Sequence, residues 1–173
     1  MIFAHDTEAS LICTAALVNS DLQDLAELDQ FVRAHGYTGR RDRDAAELDA
    51  VRKLRPQLRR FWKLGEAAIV TLVNEMLRDG RALPQLAKHD DWDYHLHNTA
   101  QDAPLATRIS VDAAMGMVDL VRMKELSRLR VCDYPSCENV LVDLSKNRSK
   151  RFCDTGCGNR AAVEAYRARQ RKS

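Results

Sequence analysis

Four of the five cysteines in this 173-residue chain fall in its last quarter, at Cys132, Cys137, Cys153 and Cys157. Their spacing, C-x4-C-x15-C-x3-C, makes two close pairs separated by enough chain for a hairpin. Tetrahedral zinc takes four soft ligands at about 2.3 Å, and two adjacent pairs supply them at little cost in loop entropy. These four residues are therefore expected to hold one structural Zn²⁺. The competing readings are two disulfides or four unrelated thiols. Disulfides need an oxidising compartment, and unrelated thiols do not ordinarily flank a turn as two pairs. The start, Met1-Ile2-Phe3-Ala4-His5-Asp6, carries no cationic leader, so a secretory signal is not expected and a reducing, cytoplasmic location is. Cys13, alone in an apolar run, reads as an inert core thiol.

Charge divides the chain at the same place. Up to Leu126 there are 16 Lys+Arg and 20 Asp+Glu; from Ser127 onward there are 11 and 5. Four thiolates on a divalent cation still leave the tail basic, which points to an anionic partner. A two-part organisation is expected: residues 1–126 as one domain and 127–173 as a zinc-stapled module. The tail offers few sizeable apolar groups, chiefly Val131, Val140, Leu141, Val142, Leu144, Phe152, Val163 and Tyr166. So thin a core does not offset ordering entropy without a metal.

The first part reads as mostly helical. Ala9–Val18 is a short apolar, buried segment. Leu22, Leu25, Leu28, Phe31 and Val32 recur at helical intervals up to Gly36, a left-handed cap. Leu48, Val51, Leu54, Leu58, Phe61 and Leu64 mark a third helix ending at Gly65, which Pro56 kinks or splits. Ile69, Leu72, Val73 and Met76 form a fourth, with Gly80 beyond it. Pro104 starts a fifth that runs to Leu126. Between them the period switches to alternation: Trp92, Tyr94 and Leu96 are expected on the buried side of a strand, paired with Leu83–His89 through a turn at Asp90-Asp91. The fold class is thus α+β, predominantly α, with a small antiparallel hairpin and a C-terminal treble-clef-like finger. In that finger Val140–Val142 and Arg151-Phe152 are the expected strands, Ser145–Ser149 the turn, and the chain after Cys157 a helix. No run of 18 apolar residues is present to span a membrane.

Asp93, His95 and His97 share one side of the predicted strand and raise a metal or acid–base reading; with no partner ligand to name, a solvated face is the default. Nothing resembles G-x-S-x-G, a phosphate-cradling glycine loop or H-E-x-x-H, and Ser10, Ser20 and Ser110 lack catalytic context. No catalytic residue is assigned, and four protein ligands leave zinc no position for an activated water.

The tail has the electrostatics of a nucleic-acid contact. Arg160, Arg167 and Arg171 share one stripe of the last helix, partly neutralised by Glu164, and Lys146, Arg148, Lys150 and Arg151 come from the turn. Asn159 and Arg160 also suit hydrogen bonding within the finger, and Gly158 is expected to let the chain pass close to the metal. DNA is the expected partner, and specific binding by so small a module calls for a homodimer. A zinc-stabilised protein-interaction module is the alternative.

Residues Arg130–Arg171 closely resemble the CGNR zinc-finger family, through Cys157-Gly158-Asn159-Arg160, the two earlier cysteines, Val142-Asp143-x-Ser145-Lys146-Asn147, Lys150-Arg151-Phe152-Cys153 and Arg167-x-Arg169. Phe152 stands where many members have Trp. The preceding part resembles the ABATE domain, whose Leu/Phe-Val-Asn-Thr is matched by Leu17-Val18-Asn19-Ser20. The resemblance implies a stress-linked transcription regulator. The first domain is the expected place for dimerisation or for sensing an unidentified small-molecule ligand, although no residue in it identifies either.

Overall fold

The computed structural model describes residues 3–88 and 94–171. Five helices come first: α1 (His5–Asn19), α2 (Leu25–Ala34), α3 (Ala45–Arg59), α4 (Glu66–Asp79) and, after the strands β1 (Gln85–Ala87) and β2 (His95–His97), α5 (Leu105–Arg122). Strands β3 (Leu129–Val131) and β4 (Val140–Val142) and a last helix, α6 (Thr155–Gln170), complete the chain. No described helix is long and apolar enough to cross a membrane.

Local chemistry accounts for the helix ends. Asp24 and Asp44 cap α2 and α3 by accepting from Glu27 N (2.9 Å) and Glu47 N (2.8 Å). Glu27 and Glu47 answer by accepting from the backbone before each helix, at Gln23 N (2.6 Å) and Asp42 N (3.0 Å). These reciprocal bonds satisfy donors that a helix start leaves free. Gly36 closes α2 at φ +68°, as its position predicted. Pro56 neither splits nor ends α3, which runs on to Arg59 before tightening into a 3-10 turn at Arg60–Trp62.

α1 is the centre of the molecule. It buries Leu11, Cys13, Ala15, Leu17 and Val18 against α3, α5 and β4, and a helix apolar on several sides must be enclosed. α5 lies between α1 and α4. Gly80 permits the α4–α5 approach, because a Cβ there would stand 2.2 Å from Val111 Cγ2.

Three expectations need correction. The β1–β2 ladder forms, pairing Leu86 with Leu96, but its apolar side faces solvent: Leu86, Tyr94 and Leu96 are exposed while His95 and His97 are half-buried. The reason is what lies beneath. The hairpin meets the polar N-terminal turn of α1, where Asp6 Oδ2 accepts from Leu96 N at 3.0 Å, so there is no oily surface to receive leucines. Trp92, Asp93, His89 and the turn at Asp90-Asp91 lie outside the described residues.

The second correction concerns β4. It pairs with β3, Arg130 opposite Leu141, and not with Arg151-Phe152, which forms no strand. Asp143 diverts the chain. Wholly buried, it accepts from Ser145 N (3.0 Å), Ser145 Oγ (2.5 Å) and Lys150 N (2.9 Å), folding residues 143–150 around one carboxylate instead of a ladder. Burial acts to raise its pKa, but the Ser145 and Lys150 hydrogen bonds outweigh it and hold the carboxyl below the usual range.

Third, the apolar groups of the tail do not form a core of their own. Val131, Val163 and Tyr166 are exposed, while Val140 and Val142 belong to the same core as α1, α3 and α5. Asn19, the last residue of α1, accepts from Val140 N and donates to Val140 O, both at 2.8 Å, so its carboxamide mimics a neighbouring strand. Trp62 Nε1 donates to Leu141 O at 2.9 Å and Arg59 to Glu138 O at 2.6 Å. Asn19→Ala leaves the N–H and C=O of a buried residue unsatisfied. It should cost about 2–3 kcal/mol and lower the Tm by roughly 5–10 °C for a chain this size, read by calorimetry. Proteolysis should then open the chain first near β4.

Candidate metal centre and nucleic-acid interface

The metal centre is assembled from three pieces of backbone. Cys132 follows β3, Cys137 closes the turn between β3 and β4, and Cys153 and Cys157 flank the start of α6. Backbone bonds hold the first pair: Cys132 N donates to Asn139 O (2.8 Å) and Cys137 N to Tyr134 O (2.9 Å). Asp154 caps α6 by accepting from Cys157 N at 2.7 Å, which turns the last thiol into the helix start. Asp133 N bonds Arg151 O at 2.9 Å and ties the two halves together.

The four sulfurs lie within 4.8 Å of one another, with Cys137–Cys153 and Cys153–Cys157 each at 3.7 Å. Ligands at about 2.3 Å in a tetrahedron stand about 3.8 Å apart, so these sulfurs outline a zinc polyhedron. No other described group of three or more His, Cys, Asp or Glu converges in this way. Burial pushes the Cys153 thiol up to about 12; a divalent cation at the centre reverses that balance and makes thiolates the stable form. Second-layer donors complete the site: Cys153 N to Cys132 Sγ (3.4 Å), Asn139 Nδ2 to Cys153 Sγ (3.7 Å) and Arg160 Nη2 to Cys157 Sγ (3.0 Å). Cys13 stands apart in the core, its thiol also pushed by burial to about 12.

Residues 128–170 match the family model for the CGNR zinc finger. Residues 11–124 match a second model, ABATE, described as "Putative stress-induced transcription regulator". The chain belongs to the ABATE family. No individually curated protein matches it. The ABATE segment contributes Asn19, which clasps β4, and the CGNR segment contributes the four thiolates that hold one structural zinc ion. Both family motifs thus acquire a physical reason: Val-Asn is a strand-mimicking clamp, and the Asp143/Ser145 stretch is a buried carboxylate turn. Neither role was legible in sequence, because each partner lies far along the chain or depends on burial.

The seven basic residues of the expected nucleic-acid face fall into two groups. Arg148 pairs with Glu125 (2.8 Å) and Arg151 with Asp133 (2.9 Å). Arg160 stacks on Tyr134, 4.6 Å from the ring centroid, while donating to Cys157 Sγ. Glu164 accepts from Tyr134 (2.8 Å), so its expected pairing with Arg160 or Arg167 does not form. Lys146, Lys150, Arg167 and Arg171 are exposed and make no ion pair with the described residues. Asn159 is exposed too and makes no side-chain hydrogen bond with the described residues of the finger. A Cβ at Gly158 would meet Phe152 at 3.5 Å, an ordinary contact.

Proposed function

We propose that this ABATE-family protein is a DNA-binding transcription regulator acting in the cytoplasm and not an enzyme. The observation that carries the reading is α6. Of its 16 residues only Cys157 is buried, so the helix stands in solvent on a metal anchor and offers its polar surface to a partner. That surface and the neighbouring turn carry Lys146, Lys150, Arg167 and Arg171, whose charges are not spent on ion pairs with the described residues. Free guanidinium and ammonium groups on a rigid element suit phosphate oxygens. Four contacts are few for sequence-specific binding, and a two-fold homodimer presenting two such helices about 34 Å apart would supply the rest.

Titration of a labelled duplex with zinc-loaded protein across a salt series tests the proposal. Each neutralised phosphate contributes about −0.9 to the slope of log K against log salt, so a value of roughly −3 to −6 is expected. Exposed Val163 and Tyr166, three residues apart on α6, favour a second reading as a protein-docking module. A slope near zero, or no binding, decides for it and against DNA.

A further inference from the structure

The cysteines of the finger leave one pair of metal-ligating side chains unused. His95 and His97 are two residues apart on β2, so strand alternation sets both imidazoles on one face. That face is half-buried and borders a cavity of about 390 Å³, which α1, α5 and the loop after α2 complete. The two rings tilt at 45° with centroids 4.9 Å apart, and Nε2 of one faces Nε2 of the other at 3.0 Å. Backbone bonds hold the pair in register. His97 stands opposite Gln85 and His95 opposite Ala87 in the ladder, and between them Asp6 Oδ2 accepts from Leu96 N at 3.0 Å.

Two neutral imidazoles can fill that gap with a single proton, one Nε2–H donating to the other Nε2. A metal ion suits the same gap. With metal–nitrogen bonds of about 2.0–2.1 Å, neighbouring ligands at octahedral to tetrahedral angles stand about 2.9–3.4 Å apart. The 3.0 Å separation falls inside that span. Chelation therefore asks only that the rings turn and that the Nε2 proton pass through water to Nδ1, which frees both lone pairs for the ion. The first turn of α1 carries Asp6 and Glu8, which offset the positive end of that helix beside the pair. Among the described residues no third His, Cys, Asp or Glu closes on the two nitrogens, so the remaining positions of such an ion fall to water in the cavity.

We propose that His95 and His97 bind a second divalent transition-metal ion, of the zinc and nickel class, at a site that shares no residue with the finger. Imidazole nitrogen selects such ions, whereas Mg²⁺ and Ca²⁺ take oxygen ligands. Two protein ligands hold this ion where four hold the finger's zinc, so it exchanges while the structural ion stays in place.

Equilibrium dialysis of the full-length, zinc-loaded chain against a modest excess of free zinc, followed by metal analysis, tests this without DNA, so its outcome is separate from that of the proposed regulatory function. One zinc per chain beyond that of the finger is expected, and excess Mg²⁺ should not displace it. His95→Gln and His97→Gln should each remove it. Outer partners of metal ligands alone are worth about 10–100-fold in affinity, so losing one of two direct ligands should weaken binding by at least about 100-fold. Where a variant fails to fold, imidazole ¹⁵N spectra of the parent chain decide: added zinc should shift the Nε2 resonances of His95 and His97 together. No second zinc, a second zinc that both variants keep, displacement by Mg²⁺, or a zinc titration that moves neither imidazole overturns the proposal.

Discussion

Stripping zinc with a strong chelator, or replacing Cys132 by Ser, is expected to melt α6 and the turn before it while α1 to α5 stay folded. Little else holds the helix besides the exposed contacts of Tyr134 with Arg160 and Glu164. Apart from Cys157, every side chain of α6 is exposed or half-exposed, and its cap residue Asp154 reaches only Cys157 N. A 16-residue helix without a packed face is marginal in water. Structural zinc contributes on the order of 10–16 kcal/mol of apparent binding energy at neutral pH, and most of that is the folding energy of this segment. The β3–β4 hairpin should outlast it, because Asn19, Trp62 and the shared core hold β4 from the other side. Far-UV circular dichroism should lose the signal of about one helix in six. Thiol titration should rise by four reactive groups on chelation and by three in the Cys132→Ser variant, with Cys13 still protected by burial. An α6 that stays helical after complete metal removal would contradict the whole account of the finger.

The double substitution Arg167→Glu/Arg171→Glu should abolish measurable DNA binding, a loss on the order of 100-fold or more at physiological salt. Two phosphate contacts disappear and two repulsions replace them. Both side chains are exposed and make no ion pair among the described residues, so the melting temperature should hold within about a degree. Arg160→Glu supplies the contrast. It removes the stack on Tyr134 and the bond to Cys157 Sγ, so it should weaken zinc retention as well as DNA binding. Unchanged DNA affinity in the Arg167/Arg171 variant would move the interface away from α6.

What could be read from residue order was whatever neighbours in the chain decide. The zinc ligands were legible because a knuckle and a helix start each bring two thiols together within a few residues. Helices α2 to α5 were legible because a 3.6-residue period acts within one turn, helped by Asp caps on α2 and α3 and by Gly36 after α2, whereas α1, apolar on several sides, was legible only as a buried apolar segment. Which of the seven basic residues are spent could not be read, since Glu125, Asp133 and Tyr134 become partners of Arg148, Arg151 and Arg160 only once the turns bring them close. The partner of β4 could not be read either. Val140–Val142 is an apolar run that suits several neighbours, and the choice fell to β3 and Asn19 because Asp143 gathers the following residues around its carboxylate. The hairpin β1–β2 turned its leucines outward for a related reason: alternation says that a strand has two faces, and only the surface beneath it, here the polar first turn of α1, says which one is covered.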